Sequence, residues 1–119
     1  MRLLLVVALM LGAAGQARAL DPWTESDWKR EAIFAAAVVA DLSLTSVGRE
    51  QGAREWNPLL GREPSHARVW SVGLSGIVFH AAVARLLPRD WRDAWQAFGI
   101  TLELAVGVRN AAFVVGAEF

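Results

Sequence analysis

Three stretches of the chain are apolar nearly all round, and each is closed off by polar or turn-forming residues. Ala32 to Gly48 holds seventeen residues whose single ionisable side chain is Asp41. Val69 to Ala84 contains His80 alone, and the run from Ala94 onward carries Glu103 and Arg109. Helix start signals precede each run. Thr24 or Ser26 can cap the first, Ser65 the second, and the third starts near Pro88 to Asp90. Gly48, Pro88 and Gly116 mark the ends. The pattern predicts helices over about 26–49, 65–87 and 89–116. No stretch alternates with the period of two that a strand needs, and no internal repeat occurs. The fold class is therefore all-α, a three-helix bundle.

Met1 to Ala19 reads as a cleavable signal peptide: Arg2, the apolar run Leu3 to Ala14, then the small-x-small site Ala17-Arg18-Ala19. This leaves 20–119 as a single helical domain. The full chain has 12 basic and 12 acidic side chains. Loss of Arg2 and Arg18 leaves 10 against 12, a net charge of −2, so the basic footprint of a nucleic-acid binder is absent. Without cysteine there are no disulfides, thiolate metal sites or lipid-modified cysteine anchors.

The apolar runs favour a membrane setting over a soluble core, because they lack the single stripe of a surface helix. Trp28, Trp56, Trp70, Trp91 and Trp95 sit at or just outside the run ends, where indole rings favour the headgroup region. The partner expected on these grounds is the lipid bilayer, and export by a signal peptide points to the inner membrane. Cleavage would place the 50–68 loop in the cytoplasm with Arg49, Arg54, Arg62 and Arg68, but Lys29, Arg30, Arg85, Arg89 and Arg92 lie on the other side, so the positive-inside count does not fix the topology.

At 100° per residue, the face of the first helix around Asp41 holds Arg30, Phe34, Ala37, Thr45 and Gly48. The arc around His80 holds His66, Val69, Gly73, Gly76 and Ala84, and the arc around Glu103 holds Arg92, Gln96, Gly99, Gly107 and Asn110. Small residues on a shared face let helices approach closely. Asp41, His80 and Glu103 also lie near the midpoints of their runs, which predicts one shared polar layer. In one reading, His80, Thr45, Gln96 and Asn110 satisfy the two carboxylates and fix helix register. In another, Asp41, His80 and Glu103 are ligands for a divalent metal or an acid/base set, with Glu55 closing the site. In a third, the helices do not meet there. No paired-ligand motif supports the metal. Arg109 falls about 120° off the Glu103 face, where it can snorkel or pair with an acidic residue of another subunit, an argument for a homo-oligomer or membrane protein partner, or for a shallow third helix.

The segment Glu55-Trp56-Asn57-Pro58-Leu59-Leu60-Gly61-Arg62-Glu63-Pro64, with Asp41 and Thr45 before it and His80 after it, resembles a group of small, mostly uncharacterised helical membrane proteins of bacteria and their prophages that carry an E-x-N-P-x-x-G-x-x-P loop. The resemblance spans roughly Trp28 to Asn110. Where those relatives often place glutamine before the threonine, this chain has Leu44. The resemblance implies a helical membrane protein, draws attention to Glu55, Asn57, Pro58, Gly61 and Pro64, and supplies no reaction. Asn57 before Pro58 also reads as a helix cap on a single turn ended by Gly61.

The resulting expectation is a small exported inner-membrane protein with a non-catalytic, accessory or interaction role in an envelope or phage-related process. The alternatives are a metal-assisted hydrolase using Asp41, His80 and Glu103, and a lysis-type pore former.

Overall fold

The computed structural model describes residues 20–52, 58–61 and 63–116. The signal-peptide segment, Glu55, Trp56, Asn57 and Arg62 lie outside the described residues. Among the described residues there are three helices: α1 (Glu25–Glu50), α2 (His66–Leu86) and α3 (Arg89–Val114). Their bounds fall within two residues of the expected ones.

The caps explain where the helices begin. Thr24 accepts from the Asp27 amide while the Asp27 carboxylate accepts from the Thr24 amide, a reciprocal capping box. Ser65 caps α2 by accepting from the Arg68 amide. Pro88 precedes α3 in an extended conformation and its carbonyl accepts the Arg92 amide. Between α2 and α3 only Leu87 and Pro88 intervene, so the two helices form a tight antiparallel hairpin.

Contacts fix the register of the bundle. Asp27 meets Arg92, Glu31 meets Gln96 and Asp41 meets Asn110, so α1 and α3 run parallel. Glu31 meets His80 and Leu42 packs where Gly73 lies, so α2 runs antiparallel to both. A Cβ on Gly73 would come within 2.5–2.9 Å of the Leu42 side chain; the missing side chain is what lets α1 and α2 pack closely there. α1 packs most extensively on α3, less on α2, and α2 touches α3 least.

The core runs along Phe34, Val38, Leu42, Leu60 and Val69, flanked by Trp70, Val72, Ile77 and Ile100. Outside, the surface is apolar: Ile33, Val39, Leu74, Val78, Phe79, Phe98, Leu104 and Val108 are all exposed. Each helix is long and apolar enough to cross a membrane. At a rise of 1.5 Å per residue the 26 residues of α1 or α3 span about 39 Å, more than the roughly 30 Å of a hydrocarbon core.

Candidate functional site

The inner polar groups form two clusters and not a single layer. The first lies at the start of α1 and α3. Arg92 is completely buried, and its guanidinium donates to the Asp27 carboxylate at 3.1 Å and to the carbonyls of Asp21, Pro22, Ala84 and Leu87. One side chain thus ties the segment before α1 to the end of α2. Arginine suits the position because its fork of five N–H donors can meet several acceptors at once.

One turn further in, Glu31 binds both neighbouring helices. Its Oε1 accepts from the Gln96 amide at 3.0 Å, and its Oε2 lies 2.9 Å from His80 Nδ1. The imidazole lies between Phe34, stacked at a centroid separation of 3.8 Å, and Trp95 at 5.1 Å, and Trp95 Nε1 donates to the His80 carbonyl. The second ring nitrogen, Nε2, is buried without a hydrogen-bond partner and faces Gly99, where a Cβ would overlap it. On the rim, Arg30 bridges Asp93 and Gln96.

The second cluster lies toward the other end. Asn110 Nδ2 donates to Asp41 Oδ1 at 2.7 Å and to Thr45 Oγ1 at 3.3 Å. Glu103 is half-buried between the clusters, within electrostatic range of both Asp41 and His80.

His80, Asp41 and Glu103 were expected to share one layer, and two of the three take other hydrogen-bond partners. His80 pairs with Glu31, and Asp41 is ten residues beyond Glu31 on α1, roughly 15 Å of helical rise. Among the described residues no group of three His, Asp or Glu side chains is placed to hold a metal ion, so these three candidate ligands are not assembled as one. The expected network partners Gln96, Thr45 and Asn110 do bond to carboxylates, but Gln96 serves Glu31 while Thr45 and Asn110 belong with Asp41.

α1 is also turned from the expected face. Asp27, Glu31, Phe34, Val38, Leu42 and Gly48 are its buried residues, with Asp41 and Thr45 half-buried on the flank. The sequence held a signal for this. Positions 27, 31, 34, 38 and 42 follow alternating three- and four-residue steps with one further four, a helix-packing stripe that admits Asp27 and Glu31 as members. On the other helices the expected faces do turn inward: Val69, His80 and Ala84 on α2, and Arg92, Gln96 and Gly99 on α3. Of the loop motif, Leu60 and Pro64 are buried, Pro58 and Gly61 are exposed, and Gly61 has φ of 81°, a left-handed turn that suits glycine. His66 is exposed.

Where α2 parts from α3, toward the loop between α1 and α2, a cleft of about 650 Å³ remains. Its walls include Leu42, Val72, Leu102, Val106 and Phe113, and Gly73 and Gly76 keep the α2 side open. Asp41, Thr45, Glu103 and Asn110 line its interior, and Arg49 and Arg109 also face it.

Compared with protein-family models, curated proteins and solved structures, the chain matches none.

Proposed function

We propose that this protein is a small integral membrane protein with a non-catalytic binding or interaction role, exported to the bacterial inner membrane and acting in an envelope or phage-related process. The observation that carries the membrane part is the radial distribution of polarity. Large apolar side chains such as Ile33, Val78 and Phe98 are exposed on all three helices, while Asp27, Glu31, His80, Arg92 and Gln96 are buried. Water would penalise that surface, and a bilayer accepts it.

The non-catalytic part rests on how the buried polar and charged groups are used. Arg92, Asp27, Glu31 and Gln96 are held by hydrogen bonds that join helix to helix, the role of a register-fixing network. Fractionation of cells expressing the full chain tests the assignment. Retention in membranes washed at alkaline pH, with release by detergent, is the expected result; recovery in the alkaline wash would overturn it. Stoichiometric metal in the purified protein, lost in Asp41→Asn, would overturn the non-catalytic reading.

A further inference from the structure

We propose that the cleft between the three helices holds one anionic phospholipid, with its phosphate at Arg49, its ester groups at Arg109 and an acyl chain along the apolar walls. This rests on the membrane reading above and names the ligand of that cleft.

Three observations converge on it. First, the cleft's volume of about 650 Å³ falls in the range of roughly 300–1,000 Å³ that small-molecule sites occupy. Its walls are mostly apolar and open outward on the α3 side, lined there by the exposed Leu102, Val106 and Phe113 and on α2 by Val72. Second, Arg49 and Arg109 form none of the ion pairs found among the described residues, and Arg49 Nη1 is buried with no hydrogen-bond partner. A buried guanidinium N–H without an acceptor is costly, and a phosphate oxygen would satisfy it with a charge-assisted bond. Third, the two arginines stand at different depths along the cleft. Arg49 is in the last turn of α1, eight residues and about 12 Å of helical rise past Asp41, while Arg109 adjoins Asn110 at the level of Asp41 and Thr45.

That order matches an amphiphile entering from the interface. The phosphate meets Arg49 at the bilayer edge, while Arg109, Asn110 and Thr45 present polar atoms one step deeper, where the ester groups of a lipid lie. Gly76 guards the space on the α2 side: a Cβ built there meets nothing within 4 Å. An arginine fork recognises phosphate by geometry as well as charge. A free phosphate shares that chemistry but would leave the apolar walls unfilled.

Native mass spectrometry of the full chain in detergent, titrated separately with phosphatidylglycerol, phosphatidylcholine and inorganic phosphate, tests the proposal. Saturable binding of one phosphatidylglycerol per chain is expected. Arg49→Gln and Arg109→Gln should each weaken it about tenfold or more, the scale of one lost charge-assisted hydrogen bond. Gly76→Leu and Val106→Trp should weaken it with both arginines intact, and Arg89→Gln, at the opposite end of the bundle, should not. Circular dichroism identifies variants that keep their helices, so the comparison rests on folded protein. Equal binding by all folded variants, or equal affinity for phosphatidylcholine, would overturn the proposal. Displacement of the lipid by equimolar inorganic phosphate would overturn it in favour of a soluble phosphate. A chain that remains in alkaline-washed membranes but binds no phosphatidylglycerol would overturn the cleft assignment alone.

Discussion

His80 Nδ1 lies 2.9 Å from the Glu31 carboxylate, and both side chains are buried. The bond joins α2 to α1, and Gln96 extends it to α3 through the other oxygen of Glu31. A single carboxylate therefore holds all three helices at one level.

Removing that carboxylate should be costly. Glu31→Ala leaves His80 Nδ1 and the Gln96 amide without their acceptor, and the expected loss is about 2–4 kcal/mol, two buried groups each left unsatisfied. Glu31→Gln keeps an oxygen and should lose only about 1 kcal/mol. Reversible unfolding in mixed micelles gives both numbers, and equal losses would refute the three-way role.

Gly99 and Gly76 should respond oppositely to alanine. At Gly99 the added methyl collides with the His80 ring and comes 3.2 Å from Phe34 Cε2, so overpacking of about 1–3 kcal/mol is expected. At Gly76 the methyl enters open space, and the better helix propensity should stabilise by up to about 1 kcal/mol. Thermal unfolding in detergent compares the two; a destabilised Gly76→Ala would mean that this side of α2 is occupied.

Arg92→Lys keeps the charge and loses the fork. Lysine has three donors on one atom and cannot reach the carbonyls of Asp21, Pro22, Ala84 and Leu87 together. Faster amide hydrogen exchange is expected at the start of α1, where the Asp27 capping box depends on the same carboxylate. Unchanged exchange there would show that the capping box holds without Arg92.

Asp41 and Asn110 should be coupled energetically. A double-mutant cycle with Asp41→Ala and Asn110→Ala should return an interaction energy of about 0.5–2 kcal/mol, the scale of an interhelical polar contact in a bilayer. The same cycle between Asp41 and His80 should return a much smaller value, because their hydrogen bonds belong to separate clusters.

Much of this fold is legible in the chain. Thr24, Ser65 and Pro88 mark the helix starts because capping chemistry is local, decided within four residues. The lengths of the apolar runs establish three helices able to cross a membrane. On α2 and α3 the small residues beside His80 and Gln96 identify the inward face, since only small side chains permit close approach.

What the tertiary structure alone decided is which level of one helix meets which level of the next. Helices that are apolar on every side carry weak information about their own rotation, and α1 turned Glu31 inward where Asp41 had looked central. The short Leu87-Pro88 link holds His80 beside Trp95 and Gly99, and the Asp27–Arg92 pair sets α1 against α3. Those two constraints bring His80 level with Glu31 and leave Asp41 beside Asn110. Helical periodicity fixes which residues share a face; axial offset depends on contacts between residues up to 69 positions apart, and nothing local in the sequence encodes it.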